Sequence, residues 1–230
     1  MPAEPHPPQP LRIGVSETQT VSALLQVPGK AKTCLVLAHG AGAGMSHPFM
    51  AAVAVGLHER GVATLRYQFA YMEKGSRRPD GPALAQAAVR AAVNEARRSL
   101  PGLSIFAGGK SFGGRMTSQS QADAALPDVR GIAFLGFPLH PANKPSTARA
   151  GHLFDIRIPM LFLQGTRDAL AASALIRQIA GELGERATLE MFPDADHSFH
   201  VPARSGRTDE QVRGNVLDAL ADWMTRIAGG

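Results

Sequence analysis

The sequence has 230 residues, of which 44% are hydrophobic and 19% are charged, and its formal net charge is +5. This size and composition are ordinary for a soluble globular protein, and they predict one domain with a sizeable core. The basic residues are scattered singly or in pairs such as Arg77-Arg78. Because no basic stripe is present, nucleic-acid binding is disfavoured, while a preference for anionic substrates stays open.

The N-terminus and the single cysteine exclude further classes. Residues 1–10 carry five prolines and lack a charged start followed by an apolar run, so they predict a disordered or extended arm, not a secretory signal. Cys34 is the only cysteine, which excludes a disulfide framework and a cysteine-based metal site. No apolar stretch approaches the roughly 18 residues that cross a bilayer, so we expect a cytoplasmic protein with no membrane partner.

Residues 11–230 are predicted to form a single α/β domain. Two short strands, 11–16 and 21–27, are joined by a polar turn and predict an antiparallel hairpin. Continuous apolar runs then alternate with segments of helical period, which is the pattern of a doubly wound, mostly parallel sheet with helices on both faces. The predicted strands are 33–38, 62–67, 103–108, 131–137, 159–164 and 187–192. The predicted helices are 47–60, 82–98, 112–125, 171–183 and 209–227.

The connection over residues 138–158 is irregular. It contains three prolines and shows no clear helical stripe. About twenty residues are too few for a large helical cap domain, so we expect an open site at this position of the fold.

A glycine-flanked serine follows the predicted strand at 103–108. In the sequence GKSFG, Ser111 stands between Gly109 and Gly113, a pattern typical of a nucleophile elbow on a strained strand-to-helix turn. A phosphate-binding loop needs a glycine five positions before Gly109, where Ser104 stands instead. A serine hydroxyl is a weak nucleophile by itself, so this interpretation requires a histidine, an acid and an oxyanion hole elsewhere in the chain.

The predicted strand at 33–38 leads into the small-residue turn HGAGAG. Backbone amides in such a turn can face a developing negative charge, and the elbow adds an amide after the nucleophile. We therefore predict an oxyanion hole from the backbone N–H groups of Ala41 and Phe112. A plain glycine turn is the alternative, and the spacing does not fit a dinucleotide-binding fingerprint.

An acid and a histidine follow the last two predicted strands in the required order. Asp168 comes after strand 159–164, and His197 comes after strand 187–192, which completes the order Ser, Asp, His. Asp168 could instead cap a helix, and His200 is a nearby rival base. Asp194 and Asp196 are alternative acids, and with the two histidines they form a local pattern that could bind a metal. That pattern lacks a His-Glu-x-x-His helix, so no metal is predicted.

Three further residues are predicted to line a substrate pocket. Arg66 and Tyr67 stand at the end of another predicted strand, 62–67, and His140 lies in the irregular connection. For Arg66 and Tyr67, a salt-bridged arginine and a half-buried tyrosine are equally good interpretations.

From about Thr33 onward the chain resembles the α/β-hydrolase superfamily, and more closely its small lid-poor branch with dienelactone-hydrolase-like proteins and the KANL3/Tex30-type hydrolase-like domain. The matching blocks are HGAGAG, GGKSFGGRM, GFPLHP with Lys144-Pro145, QGTRD and DADHSFHVP. The resemblance implies Ser111, Asp168 and His197 as a catalytic triad. True dienelactone hydrolases use a cysteine nucleophile, so their substrate is not carried over.

These observations predict a serine hydrolase that cleaves an ester or related acyl bond of a small-molecule substrate through an acyl-enzyme, with no cofactor. The alternative is a hydrolase-like domain that binds a ligand or partner without turning it over. The sequence does not specify the substrate or the oligomeric state.

Overall fold

The computed structural model describes residues 7–229. It contains eight strands: β1 (Gln9–Gly14), β2 (Thr20–Gln26), β3 (Thr33–Ala38), β4 (Val62–Tyr67), β5 (Ser104–Lys110), β6 (Val129–Leu135), β7 (Met160–Gly165) and β8 (Ala187–Phe192). They form one sheet in the order β1-β2-β4-β3-β5-β6-β7-β8. Strands β3 to β8 are parallel to one another, and β2 pairs antiparallel with both β1 and β4. The doubly wound, mostly parallel α/β fold is thereby confirmed.

The hairpin of β1 and β2 is also confirmed, but it starts earlier than predicted. Gln9 and Pro10 pair with Leu25 and Leu24, so the end of the predicted arm belongs to the sheet. Pro10 is tolerated there because β1 is the edge strand, where one side of the backbone has no partner strand. Residues 1–6 of the predicted arm lie outside the described residues.

Helices cover both faces of this sheet. They are α1 (Pro48–Glu59), α2 (Ala70–Glu73), α3 (Pro82–Ser99), α4 (Phe112–Asp123), α5 (Ser173–Leu183) and α6 (Asp209–Gly229). In β3, Val36 packs into the core that includes buried residues of α3, whereas Leu35 and Leu37 pack into the core of α1 and α6. Successive strand residues point to opposite faces, which is why an entirely apolar strand is needed at the centre of this fold.

The sequence analysis missed short helical elements, two of which lie after β4 and inside the irregular connection. The short helix α2 follows β4, and a 3-10 helix over residues 148–155 lies inside the irregular connection. The 3-10 helix buries only Ala150 and Leu153, three residues apart, and this spacing leaves no stripe of 3.6-residue period. The connection nevertheless contains no large cap.

Parallel strands place their carboxyl ends at one edge of the sheet. The loops after β3, β5, β7 and β8 therefore meet at that edge, which positions the residues described next. Within residues 7–229, no helix is both long enough and apolar enough to cross a bilayer.

Candidate active site

Ser111 occupies a strained turn between β5 and α4. Its backbone has φ 50° and ψ −114°, a conformation that residues with a side chain rarely adopt. A Cβ atom on Gly109 would lie 2.3 Å from the Ala38 carbonyl oxygen, and one on Gly113 would lie 2.6 Å from that of His39. Glycine is needed at both positions because the turn packs directly against the end of β3.

A continuous chain of hydrogen bonds joins Ser111 to His197 and Asp168. Ser111 Oγ lies 2.8 Å from His197 Nε2, and His197 Nδ1 lies 2.6 Å from Asp168 Oδ2. A carboxylate only accepts hydrogen bonds, so Nδ1 carries the imidazole proton and Nε2 is free to accept from the serine hydroxyl. The structure thus brings these three predicted residues together, although 86 positions separate Ser111 from His197.

The Asp168 carboxylate is fully buried, and two further groups hold it in place. The Gln164 side-chain amide donates to Oδ2, and the Leu170 backbone amide donates to Oδ1 over 2.7 Å. Gln164 Oε1 in turn accepts from the Phe137 amide, which fixes the orientation of the glutamine. A buried carboxylate is stable only when such donors replace water. The sequence analysis missed Gln164, whose signal is a polar residue inside the apolar strand β7.

The alternative acid Asp196 and the rival histidine His200 have other partners. Asp196 Oδ1 accepts from the amides of Ser198 and His200, over 2.7 and 3.0 Å, and so shapes the loop that carries His197. His200 bonds Asp209 at the surface, 2.8 Å away. Across the described part of the chain, no group of three or more His, Cys, Asp or Glu residues is arranged to hold a metal ion.

His39 anchors the glycine-rich turn after β3. The ring is buried, with Nδ1 2.7 Å from the Gly40 carbonyl oxygen, while Nε2 accepts from the Phe69 amide over 3.1 Å. Burial lowers the pKa of His39 to about 4, so this ring is neutral at pH 7. A Cβ atom on Gly40 would lie 3.9 Å from Ser111 Cβ, which shows that the turn adjoins the serine.

The two amides predicted to form an oxyanion hole belong to these adjoining segments. Phe112 is the first residue of α4, where backbone amides lack a partner within the helix. Ala41 follows Gly40 in the turn. Neither amide donates a hydrogen bond to any group in residues 7–229.

A cavity of about 280 Å³ opens beside Ser111. The residues that line it are Gly40, Ala41, Ala43, His47, Phe49, Met50, Lys110, Ser111, Leu170, His197 and Ser198. Most of this lining is apolar, and it includes the predicted nucleophile, the predicted base and one of the two predicted oxyanion residues.

None of the three predicted pocket residues lines this cavity, and that prediction is corrected. Arg66 and Tyr67 are buried at the end of the central strand β4, where Arg66 Nη1 donates to the Met45 carbonyl over 3.3 Å. His140 is buried too, and its Nε2 accepts from the Ala172 amide over 2.8 Å. Their positions in the sequence did not reveal that packing covers these side chains. Lys110 lines the cavity instead, and the sequence analysis did not select it.

Comparison with known proteins places this geometry in context. A family model described as an alpha/beta hydrolase domain matches residues 31–225. A dienelactone hydrolase from Anabaena variabilis is similar in structure, with a TM-score of 0.73 at 19% identity over 96% of this chain and 99% of that one. A serine hydrolase without a lid from Xanthomonas campestris has the same TM-score and identity over 97% and 98%. Est1E from Butyrivibrio proteoclasticus with ferulic acid bound has a TM-score of 0.69 at 17% identity over 92% and 99%.

Proposed function

The chain belongs to the alpha/beta hydrolase domain family, and we propose that it is a serine hydrolase that cleaves an ester or a related acyl bond. The observation that carries this proposal is the hydrogen-bond chain from Ser111 through His197 to Asp168, with Ser111 open to a cavity. A domain that only binds a ligand has no use for a hydroxyl hydrogen-bonded to an imidazole whose other nitrogen donates to a buried carboxylate.

The first half-reaction follows from the tautomer of His197. Nε2 accepts the proton of Ser111 as Oγ attacks the acyl carbon, and the Asp168 carboxylate stabilises the imidazolium that forms. The imidazolium then gives this proton to the leaving alcohol, and the acyl group stays on Oγ. No cofactor takes part in this scheme.

The second half-reaction uses the same groups in reverse. His197 takes a proton from a water molecule, the resulting hydroxide attacks the acyl-enzyme carbonyl, and the proton returns to Oγ as the acid product leaves. In both halves the amides of Ala41 and Phe112 would donate to the carbonyl oxygen as it becomes negative. Each such donor contributes about 10²- to 10³-fold to the rate in known cases.

The cavity supports a small acyl substrate. Its volume of about 280 Å³ and the side chains of Phe49, Met50 and Leu170 favour a short apolar group next to the scissile carbonyl. We therefore propose a small-molecule ester as the substrate class. From the sequence blocks quoted above, we also propose that the chain belongs to the small lid-poor branch of the family, with its KANL3/Tex30-type members. The cytoplasmic location stays a prediction.

The decisive experiment uses a fluorophosphonate probe and p-nitrophenyl acetate on wild type, Ser111→Ala and Ser118→Ala. Ser118 is the matched control because its Oγ also lies 2.8 Å from a histidine, His152 Nε2, but outside the cavity. We expect the probe to label wild type and Ser118→Ala, and Ser111→Ala to lose both labelling and at least about 10³-fold in turnover. Labelling or turnover that survives in Ser111→Ala would remove Ser111 from the mechanism, and a wild type that never labels would favour a silent binding domain.

A further inference from the structure

Lys110 is the last residue of β5 and directly precedes Ser111 in the chain. Its ammonium group forms no ion pair with a carboxylate among residues 7–229. It donates instead to the backbone carbonyl oxygen of His197. His197 is thus bonded to this segment twice, through its ring to Ser111 and through its carbonyl oxygen to Lys110. The second bond holds the loop after β8 against the end of β5.

Aromatic rings complete the surroundings of the ammonium. The nitrogen lies 5.9 Å from the ring centre of Phe49 and 5.5 Å from that of Phe199, and these two rings are stacked. A cation over ring faces is stabilised by the negative π surface, most strongly where water is excluded. Phe199 belongs to the same loop as His197, so this contact is a second link between Lys110 and that loop.

The ammonium also lies close to the imidazole ring. A Cβ atom on Gly136 would lie 2.9 Å from Lys110 Nζ and 3.3 Å from His197 Nδ1, so both groups border the same point. The other charged groups that act on the ammonium are Asp168 after β7 and Asp196 in the loop of His197, and the titratable His47 lines the same cavity. Asp168 favours a charged imidazole, whereas a neighbouring ammonium opposes it.

We propose that Lys110 is a positioning residue for His197: its ammonium fixes the loop that carries the base, and its charge keeps the imidazole neutral and ready to accept the serine proton. The proposal rests on the proposed hydrolase function for its catalytic meaning. Its electrostatic part stands on the geometry alone.

Burial lowers the pKa of Lys110 to about 8, against the opposing influence of Asp168 and then Asp196. The ammonium is therefore mostly charged at pH 7, and this charge is lost in mildly alkaline solution. The interaction with His197 should accordingly operate at neutral pH, where a histidine base is needed.

Two substitutions separate the effect of the Lys110 charge from that of its hydrogen bond to the His197 carbonyl oxygen. Lys110→Met keeps an apolar stem against Phe49 and Phe199 but removes charge and donor, whereas Lys110→Gln removes the charge and retains an N–H donor. Lys30→Met removes an exposed charge near the opposite end of the strands and serves as the control.

The measurements are histidine-detected NMR titration of the free proteins and the pH profile of kcat/KM on p-nitrophenyl acetate. We expect both Lys110 variants to raise the midpoint of the His197 titration, and the pH of the acidic limb of the profile, by about 0.5 to 1 pH unit. Lys30→Met should change neither. Lys110→Met should also lose about tenfold in kcat with little change in KM, and Lys110→Gln should lose less.

An unmoved His197 titration in both Lys110 variants would overturn the proposal, as would a pH profile identical to that of wild type. If the protein turns over no ester, the NMR titration still decides the electrostatic part, since it needs no substrate. Should Lys110→Met fail to fold, Lys110→Gln carries the same comparison.

Discussion

Two serine–histidine hydrogen bonds of equal length involve helix α4, one at the residue that precedes its first turn and one in its interior. Ser111 Oγ to His197 Nε2 and Ser118 Oγ to His152 Nε2 both measure 2.8 Å. Distance alone would rank them equally as nucleophile and base. Their surroundings make them chemically different.

The two pairs differ first in their other hydrogen-bond partners: the group bonded to the second imidazole nitrogen, and the group that accepts the hydroxyl proton. His197 Nδ1 donates to a buried carboxylate, which leaves Nε2 to accept the serine proton. Ser118 Oγ instead lies 3.0 Å from the carbonyl oxygen of Arg115, which only accepts. Both bonds of Ser118 are satisfied when its proton points to that carbonyl and His152 is the donor, an arrangement with no base.

The second difference is charge and access. Burial, followed by the charge of Arg115, lowers the pKa of His152 to about 4, so an imidazolium is disfavoured there. Ser118 is fully buried within the helix, whereas Ser111 faces the cavity in a strained turn. A buried carboxylate partner for the imidazole and a hydroxyl open to a cavity thus distinguish the proposed site, whereas a short serine–histidine contact by itself does not.

The sharpest test of this contrast replaces the two histidines in turn. We expect His197→Gln to lower kcat/KM on p-nitrophenyl acetate by at least about 10⁴-fold, because the base is gone. His152→Gln should remain within about threefold of wild type, since His152 lies outside the cavity. Circular dichroism checks that both variants are folded. Comparable losses in the two variants would erase the distinction between the pairs.

The pH dependence of stability tests the charge difference. The pKa of His152 is about 4 when folded and about 6.5 when unfolded, so the unfolded chain binds more protons between these values. The free energy of unfolding should therefore fall as the pH falls from about 6.5 towards 4, and this contribution is fully present above that window.

We expect wild type to lose about 1 to 2 kcal/mol more than His152→Gln between about pH 7.5 and 4.5, a figure reduced for the partial exposure of the ring. Urea unfolding at the two pH values measures it. The pKa of His39 is lowered similarly, but His39 is present in both proteins, so its contribution to the difference cancels. Equal losses in the two proteins would mean that His152 is not held neutral by its surroundings.

The backbone difference predicts opposite preferences for glycine at the two serines. At Ser111, with φ 50°, glycine should give a protein about 1 kcal/mol more stable than alanine, because it relieves the left-handed strain. At Ser118, in the interior of α4, alanine should be more stable than glycine by about 1 kcal/mol. Urea unfolding of the four variants provides the data. The same sign at both positions would contradict the strained turn.

Much of the fold was predictable because its signals are local. Strands β3, β4 and β8 have the predicted bounds, since each begins and ends where an apolar or β-branched run meets turn residues. Helices that bury a wide apolar stripe, such as α3, were found within a residue or two. The 3-10 helix over residues 148–155 and α2 were missed because each is too short to show a repeating pattern of apolar residues.

The sequence by itself determined the succession of strands and helices along the chain. It also determined the glycine-flanked turn at Ser111, and which acid and which histidine come after strands. Only the tertiary structure decided that Asp168 and not Asp196 meets His197, that Gln164 holds that acid, that Lys110 lines the cavity and that Arg66, Tyr67 and His140 do not. The reason is physical: a local pattern fixes where the chain turns, whereas burial and hydrogen-bond partners depend on segments that meet from distant parts of the chain.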